Sequence, residues 1–318
     1  MSEDSSFQLP DIPALFSPSF ELDTNRHCRT VTGKLQEWSR NVQFLNRAER
    51  DSLPGLQLGL LSSLIYPSCD YTQLFFATKF LVLLIHWIDV AHHLPYDEVF
   101  DEIWSALCRE TSPEWQNKFR QDLASFRTNR DVVLQGNANS TTLEVTAYET
   151  MRKDSSGVRL LLDLLEYVEG FRFPEDVVNN PTFSEIRECA LDTVSDVLDL
   201  ANYNRQQAVN DNHNIIPVLI SHSENVAVLE RAVFVVRGRI ENSLRTFEKL
   251  EKDLSSLKFG SAIMEEDIHS YIKGLRSFMV GFVHWVYETE RYFGSNGEDY
   301  HLSPMTLLCL SQYRRRRQ

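Results

Sequence analysis

The sequence has few cysteines, and their placement excludes a small domain held together by disulfides. Five cysteines in 318 residues are odd in number, widely scattered and never arranged as a CxxC pair. The close Cys/His spacing of a zinc knuckle is missing as well. Such a chain is typical of a reducing compartment, so we expect a cytoplasmic location. The cysteines are Cys28, Cys69, Cys108, Cys189 and Cys309.

Basic residues are outnumbered by acidic ones and long apolar runs are scarce, which argues against some classes of binding partner. The formal net charge of -13 argues against nucleic acid or an anionic membrane surface as the main partner. The longest apolar run, Phe75–Trp87, is interrupted by Lys79 and is too short to cross a bilayer. The N-terminal sequence MSEDSSFQLPD is acidic and polar, so we expect no signal peptide. An anionic substrate would therefore need metal ions or converging arginines.

Strand patterns and fixed repeats are almost absent, whereas helical periodicity covers most of the chain. This predicts an all-α fold with a single domain. We expect a flexible arm at residues 1–19, the domain at 20–312 and a basic tail at 313–318, either solvated or lying over the mouth of a site. The predicted helical segments are 32–45, 51–66, 71–93, 97–109, 112–128, 141–150, 158–169, 184–209, 213–220, 223–251 and 264–292.

An acidic residue follows the most apolar of these segments, in the sequence His86-Trp-Ile-Asp89-Val-Ala-His92-His93. A carboxylate buried there is costly unless it is paired or binds a cation. Asp89 and His93 are four residues apart on a helix, and His92 lies three residues from Asp89, so together they could hold a divalent metal. The alternative is a helix terminus whose histidines interact with the helix dipole and face water.

A polar stripe lies on a later helix. Asp199, Asn202 and Gln206 are spaced three and four residues apart, so their side-chain oxygens share one face, with Arg205 beside them. Oxygen ligands suit Mg²⁺, which binds through a few protein oxygens together with substrate phosphates. A solvated polar helix face is the alternative interpretation.

Arginines at two helix ends point to an anion. Arg152 ends one helix, and a Ser-Ser-Gly break at residues 155–157 starts the next, where unpaired N–H groups and the guanidinium could bind phosphate. An ordinary corner between two helices would explain the same pattern. Near the C-terminus, Trp285 shares a helical face with Arg291 and Tyr292, which predicts an apolar cavity with an anion at its mouth.

Taken in order, these elements resemble the motifs of class I terpene synthases. The stretch from Tyr66-Pro67 through an apolar helix to Asp89 is similar to the block that ends in DDxxD, with Asp89 as the first acid and His93 in the last position. Residues 198–216 are similar, without a gap, to the family's NDxxSxxxE block and the DxHN sequence that trails it.

The remaining two elements of the family lie at matching places. Arg152, 46 residues before Leu198, is where the family carries its diphosphate-sensing arginine, and Arg291-Tyr292 resembles its RY pair. The resemblance spans residues 20–295 and implies a helical bundle around a central apolar cavity. The combination of motifs most resembles the fungal humulene synthases.

The sequence departs from the family at the metal-binding positions. Two of the three acids of the first block are missing, and Leu198, Asn202 and Gln206 replace the usual Asn or Asp, Ser or Thr, and Glu. A small helix rotation could bring Asp199 round to replace Leu198 as a metal ligand. We therefore expect Asp89, His93, Asp199, Asn202 and Gln206 to bind metal.

The resemblance implies that the chain ionises farnesyl diphosphate and cyclises the allylic cation to a sesquiterpene such as humulene, as a carbon–oxygen lyase. Up to three Mg²⁺ ions, or Mn²⁺, would assist. Arg152, Arg205, Arg291 and Tyr292 would bind the diphosphate, and Asp89, Arg152, Arg291 and Tyr292 would be catalytic. The predicted cavity-lining aromatics, each of which could instead be plain core, are Phe76, Phe80, Trp87, Phe282 and Trp285.

Other functions remain open at this point. A cyclase of C10 or C20 prenyl diphosphates would use the same motifs. The weakened metal motifs are compatible with an inactive protein that only binds prenyl diphosphates. We expect no nucleic-acid or membrane partner, and either a monomer or a homodimer.

Overall fold

The fold is known from a computed structural model, which describes residues 6–16, 18–89, 98–139, 143–222, 228–294 and 307–309. These residues confirm the predicted all-α class. The helices are α1 (Cys28–Ser39), α2 (Arg47–Ser52), α3 (Leu58–Ile65), α4 (Tyr71–Asp89), α5 (Glu98–Glu110), α6 (Pro113–Asn139), α7 (Val145–Ser155), α8 (Val158–Glu169), α9 (Glu175–Val178), α10 (Pro181–Ala208), α11 (Ile215–Ser221), α12 (Val228–Ser256), α13 (Ala262–Glu288) and α14 (Glu290–Phe293). Two short strands, β1 (Ser6–Gln8) and β2 (Leu307–Cys309), pair antiparallel.

The helices α8, α10 and α13 pack against one another and carry many of the buried residues. The α10 helix packs against α12 and α13, and α13 packs against α3 and α8. A Cβ atom at Gly281 of α13 would meet the backbone of Leu64 at 2.9 Å, so glycine allows α13 to approach α3 closely. Capping side chains set where the later helices begin, since Asn180 caps α10, Asn214 caps α11 and Ser261 caps α13.

The segment before α1, predicted as a flexible arm, contains a stretch that lies against the helical body. Ile12 is fully buried and Leu9 nearly so. The guanidinium of Arg276 on α13 donates hydrogen bonds to the carbonyl and hydroxyl oxygens of Ser19. Residues 313–318 lie outside the described residues, and the predicted domain limits stay predictions.

The α4 helix corrects the statement that this region is too short to cross a bilayer. At 19 residues, α4 has the length and composition of a membrane-spanning helix, because it extends beyond the apolar run Phe75–Trp87 at both ends. Most of its apolar window is buried inside the fold, as in the core helix of a bundle. Within α4, the buried hydroxyl of Thr78 donates a hydrogen bond to the carbonyl oxygen of Leu74, so this polar group has a partner inside the helix.

Candidate functional site

A cavity of about 280 Å³ opens between α4, α6, α7, α8, α10, α13 and α14. Its apolar wall comes partly from the inner turns of α4, through Leu81, Leu84 and Ile85, whereas Asp89 in the last turn contributes a carboxylate. Seven of the predicted site residues line this cavity, and so do two of the predicted aromatic residues. The seven are Asp89, Arg152, Asn202, Arg205, Gln206, Arg291 and Tyr292.

Asp89 is held by two arginines. The Arg291 guanidinium donates from Nη1 to Oδ2 and from Nη2 to Oδ1, both at 2.7 Å, and Arg205 Nη2 donates to Oδ1 at 3.3 Å. Burial opposes ionisation of Asp89, but the charges of Arg291 and Arg205 outweigh it and lower the pKa of this carboxyl group. Asp89 is therefore a carboxylate at neutral pH. Its Oδ1 already accepts two hydrogen bonds, whereas Oδ2 accepts one and retains a lone pair for a further partner.

Arg152, in the last turn of α7, is fixed by Asp199 from behind. Its Nε donates to Oδ1 of Asp199 at 2.7 Å. The other oxygen of Asp199 accepts hydrogen bonds from the Tyr148 hydroxyl at 2.5 Å and from the backbone N–H of Ile215 at 3.0 Å. The bond uses only Nε of Arg152, so its terminal nitrogens remain for a ligand in the cavity that it lines.

This geometry corrects the expectation that Asp199 binds a metal. The carboxylate is 1% exposed, its two oxygens are engaged, and it does not contribute to the cavity lining. Leu198 lines the cavity instead, so the helix rotation that would bring Asp199 round is not present. Asp199 has the geometry of a residue that positions Arg152.

Gln206 also differs from its predicted role as a metal ligand. Its Nε2 donates to Oδ2 of Asp211 at 3.1 Å and to the carbonyl oxygen of His213 at 2.8 Å. Its Oε1 accepts from Nδ2 of Asn214 at 2.9 Å. Although Gln206 lines the cavity, these bonds make it the connection between α10 and the loop before α11.

The remaining oxygens fit a cation that is shared with a ligand. Among the described residues, no group of three or more His, Cys, Asp or Glu side chains could hold a metal ion unaided. Arg205 contacts Oδ1 of Asn202 at 3.4 Å and Asp89 at 3.3 Å, so oxygens from the two predicted blocks lie on either side of one positive group. One carboxylate and one amide, completed by phosphate oxygens and water, suit Mg²⁺. His92 and the predicted ligand His93 lie outside the described residues.

The aromatic residues divide between the cavity and the core. Phe282 and Trp285 of α13 line the cavity, and Trp285 Nε1 donates to the carbonyl of Leu56 at 2.8 Å. The Tyr292 ring lies edge-on to Trp285, with centroids 5.7 Å apart. Burial raises the pKa of Tyr292, so its phenol stays protonated and can donate a hydrogen bond.

The predictions for Phe76, Phe80 and Trp87 as cavity residues are wrong. The Phe76 ring packs on Tyr167, while Phe80 and Trp87 pack on each other and on rings of α5 and α6. These three residues project from a different side of α4 than the cavity face, because successive helical residues turn by about 100°. The cavity face of α4 is aliphatic, formed by Leu81, Leu84, Ile85 and Ile88.

Sequence reasoning missed Arg130 and His213, which also line the cavity. Arg130 is one of several arginines on a polar helix, and nothing in the sequence distinguishes it from Arg120 or Arg127. His213 lies within the stretch that resembles DxHN, so a signal was present. Burial, followed by the charge of Arg152, lowers the pKa of His213 to about 4, and its imidazole is neutral at physiological pH.

The chain is similar in sequence to known terpene synthases. A family model described as "Terpene synthase family 2, C-terminal metal binding" matches residues 88–246. The chain is 28% identical to sesquiterpene synthase Agr1 of Cyclocybe aegerita, with 91% of this chain and 89% of the relative covered. It is 25% identical to alpha-muurolene synthase of Coprinopsis cinerea, over 93% of this chain and 76% of the relative.

Solved structures of similar fold are helical enzymes. A linalool/nerolidol synthase from Streptomyces clavuligerus superimposes with a TM-score of 0.74 at 16% identity, over 85% of this chain and 99% of the other. Hedycaryol synthase in complex with nerolidol superimposes with a TM-score of 0.73 at 18% identity, over 87% and 99%. At these identities the likeness establishes the helical fold.

Proposed function

The chain belongs to terpene synthase family 2, and from this membership we propose that it converts farnesyl diphosphate into a cyclic sesquiterpene hydrocarbon. The carbon–oxygen bond of the allylic diphosphate breaks, diphosphate leaves, and the cation closes and loses a proton, which makes the enzyme a carbon–oxygen lyase. One observation carries the proposal: the arginines, Tyr292 and an apolar wall line the same cavity. The sesquiterpene synthases among the similar proteins support a C15 substrate.

Arg152, Arg205, Arg291 and Tyr292 bind the diphosphate in this proposal. Arg152 is preset by Asp199, and Arg291 presents a fork that already holds a carboxylate in two-pronged fashion. Each terminal nitrogen keeps a second N–H group, which can bind a phosphate while the first holds Asp89. Negative charge grows on the diphosphate as the carbon–oxygen bond breaks, so these groups bind it more tightly in the transition state than in the ground state.

Asp89 and Asn202 are the residues that would hold Mg²⁺ together with diphosphate oxygens. When bound, Mg²⁺ supplies positive charge that stabilises the departing diphosphate. Asp89 can serve while it remains bonded to Arg291, since a carboxylate oxygen accepts more than one partner. Metal titration measures the number of bound ions and the preference for Mg²⁺ over Mn²⁺.

The apolar wall protects the allylic cation. Leu81, Leu84, Leu161 and Phe282 offer no nucleophile, and exclusion of water prevents premature quenching. The ring faces of Phe282 and Trp285 are able to stabilise positive charge by roughly 0.5–2 kcal/mol each. Humulene is the product expected from the sequence resemblance, and product analysis identifies it directly.

Incubation of the protein with geranyl, farnesyl and geranylgeranyl diphosphates in Mg²⁺, followed by hydrocarbon analysis, tests the proposal. We expect a C15 hydrocarbon that depends on Mg²⁺ and is lost in EDTA. Binding of farnesyl diphosphate without any product would instead identify an inactive prenyl-diphosphate-binding protein. Faster turnover of the C10 or C20 substrate would overturn the assignment of chain length.

A further inference from the structure

Arg130 projects from α6 into the cavity beside the end of α4. Its Nη2 donates a 2.7 Å hydrogen bond to the carbonyl oxygen of Ile88, the residue before Asp89. This carbonyl is one of the last four of α4, which have no partner within the helix. Arg130 therefore connects α6 to the turn of α4 that carries Asp89.

The surroundings of Arg130 are unfavourable for a cation in the absence of an anion. Its Nε is buried and has no hydrogen-bond partner among the described residues. Burial, and next the positive charge of Arg152, lower the pKa of Arg130. A buried N–H group without an acceptor costs free energy, and so does a neighbouring like charge.

The net charge of the cavity lining also favours an anionic ligand. Its charged side chains are four guanidinium groups and two carboxylates, so the lining is net positive. His213 adds no charge, because its imidazole is neutral at physiological pH. One of the two carboxylates, Asp89, is already shared by Arg291 and Arg205. When Asp199, which pairs with Arg152 from behind the lining, is counted as well, four guanidinium groups face three carboxylates, so the site keeps a net positive charge.

We propose that Arg130 is a fourth guanidinium of the diphosphate site, which contacts the substrate's phosphate oxygens together with Arg152. This inference rests on the proposed function, since it assigns one more residue to the same site. A diphosphate near both arginines supplies acceptors for the N–H groups that Arg130 presents to the cavity, and it offsets the repulsion between the two guanidinium groups. An arginine here also supplies positive charge that metal ions would supply in a site with more acidic ligands.

A purely structural role is the competing explanation. If Arg130 only holds the end of α4 through Ile88, its removal lowers the stability of the fold and leaves diphosphate affinity unchanged. If Arg130 contacts diphosphate, its removal weakens binding even in protein that remains fully folded. Affinity and stability measured on the same variants therefore separate the two roles.

The test is isothermal titration of the full-length protein with inorganic pyrophosphate in Mg²⁺, for the wild type, Arg130→Gln and Arg130→Lys. Arg127→Gln is the matched control, because Arg127 is three residues earlier on α6 and lies over the rings of Trp87 and Phe100, away from the cavity. We expect Arg130→Gln to weaken pyrophosphate binding about 10-fold or more, and Arg130→Lys to weaken it less. The control should bind like the wild type.

Each outcome decides a separate claim. Wild-type protein that binds pyrophosphate with the same affinity as Arg130→Gln overturns this inference and leaves the proposed function intact. Wild-type protein that does not bind pyrophosphate at all overturns both. If Arg130→Gln fails to fold, Arg130→Lys decides, because it keeps the charge but loses the two-pronged contact; unchanged affinity in that variant counts against the proposal.

Discussion

Arg291 and Asp89, 202 residues apart in the sequence, are joined by two parallel hydrogen bonds of 2.7 Å. The pair joins the end of α4 to α14 at the edge of the cavity. A planar guanidinium that is held in this way is oriented before any ligand arrives, so little conformational entropy is lost when it binds phosphate. The relationship explains how a chain with few acids at its metal positions can still present an ordered anion site.

The geometry of Arg291 predicts that charge alone does not suffice at this position. Arg291→Lys retains the positive charge but cannot make the two-pronged contact, so we expect kcat/KM for farnesyl diphosphate to fall on the order of 100-fold. Steady-state kinetics measure the loss. Arg245→Lys, on the exposed face of α12, is the control and should behave like the wild type. Equal activity of the two variants would remove Arg291 from the diphosphate site.

The contacts of Asp199 predict that its substitution releases Arg152 from its fixed position and leaves Mg²⁺ binding unchanged. Asp199→Asn leaves the guanidinium of Arg152 buried without its counter-charge, and we expect the free energy of unfolding to fall by about 3 kcal/mol. Pyrophosphate affinity should also fall, while the Mg²⁺ concentration that gives half-maximal activity stays unchanged. Urea denaturation and a Mg²⁺ titration make these measurements. A large shift in the Mg²⁺ requirement would return Asp199 to the metal site.

The division of aromatic residues predicts which of them determine the product. Phe282→Leu changes the cavity wall, so we expect an altered mixture of hydrocarbons from farnesyl diphosphate. Phe80→Leu makes the same chemical change in the core between α4 and α6. It should lower stability by roughly 1 kcal/mol and leave the product mixture as in the wild type. Product analysis by mass spectrometry compares the two, and an identical mixture from Phe282→Leu would contradict the assignment.

The raised pKa of Glu169, a residue outside the cavity lining, predicts that the free energy of unfolding depends on pH. Burial raises the pKa of Glu169 from 4.5 to about 7, so the folded chain holds a proton that the unfolded chain releases between these values. Because the folded state binds more protons in this window, stability falls as the pH rises through it, by up to about 3 kcal/mol.

Glu169→Gln removes this titration and serves as the comparison. Urea unfolding at about pH 5 and about pH 8 should show the wild type losing stability relative to Glu169→Gln as the pH rises. Parallel pH profiles for the two proteins would show that Glu169 has an ordinary pKa in the folded state.

Helical periodicity predicted the helices well and their interruptions less well. The segment predicted at 158–169 agrees with α8, whose ends are marked by Gly157 and Gly170, both with positive φ. By contrast, α6 runs through the turn signal at residues 136–137. An isolated glycine within a helix costs only about 1 kcal/mol, and the helix tolerates it. The stretch predicted at 264–292 is broken at Thr289, whose side chain caps α14.

Motif spacing predicted which residues would meet, but not how each would be bonded. Asp89, Arg152 and Arg291 reach one cavity because they lie at helix ends that the bundle gathers together. The role of Asp199 depends on Tyr148 and Ile215, and these tertiary contacts have no signature in a single sequence. Which face of α4 meets the cavity is likewise set by packing, since that helix is apolar nearly all the way round.

The most direct test of the account is a crystal structure of the protein with pyrophosphate and Mg²⁺. We expect the pyrophosphate to lie in the cavity within hydrogen-bond distance of Arg152, Arg291 and Tyr292, with Mg²⁺ contacting Asp89. Pyrophosphate bound elsewhere, with these side chains turned away from it, would contradict the central claim that they form one diphosphate site.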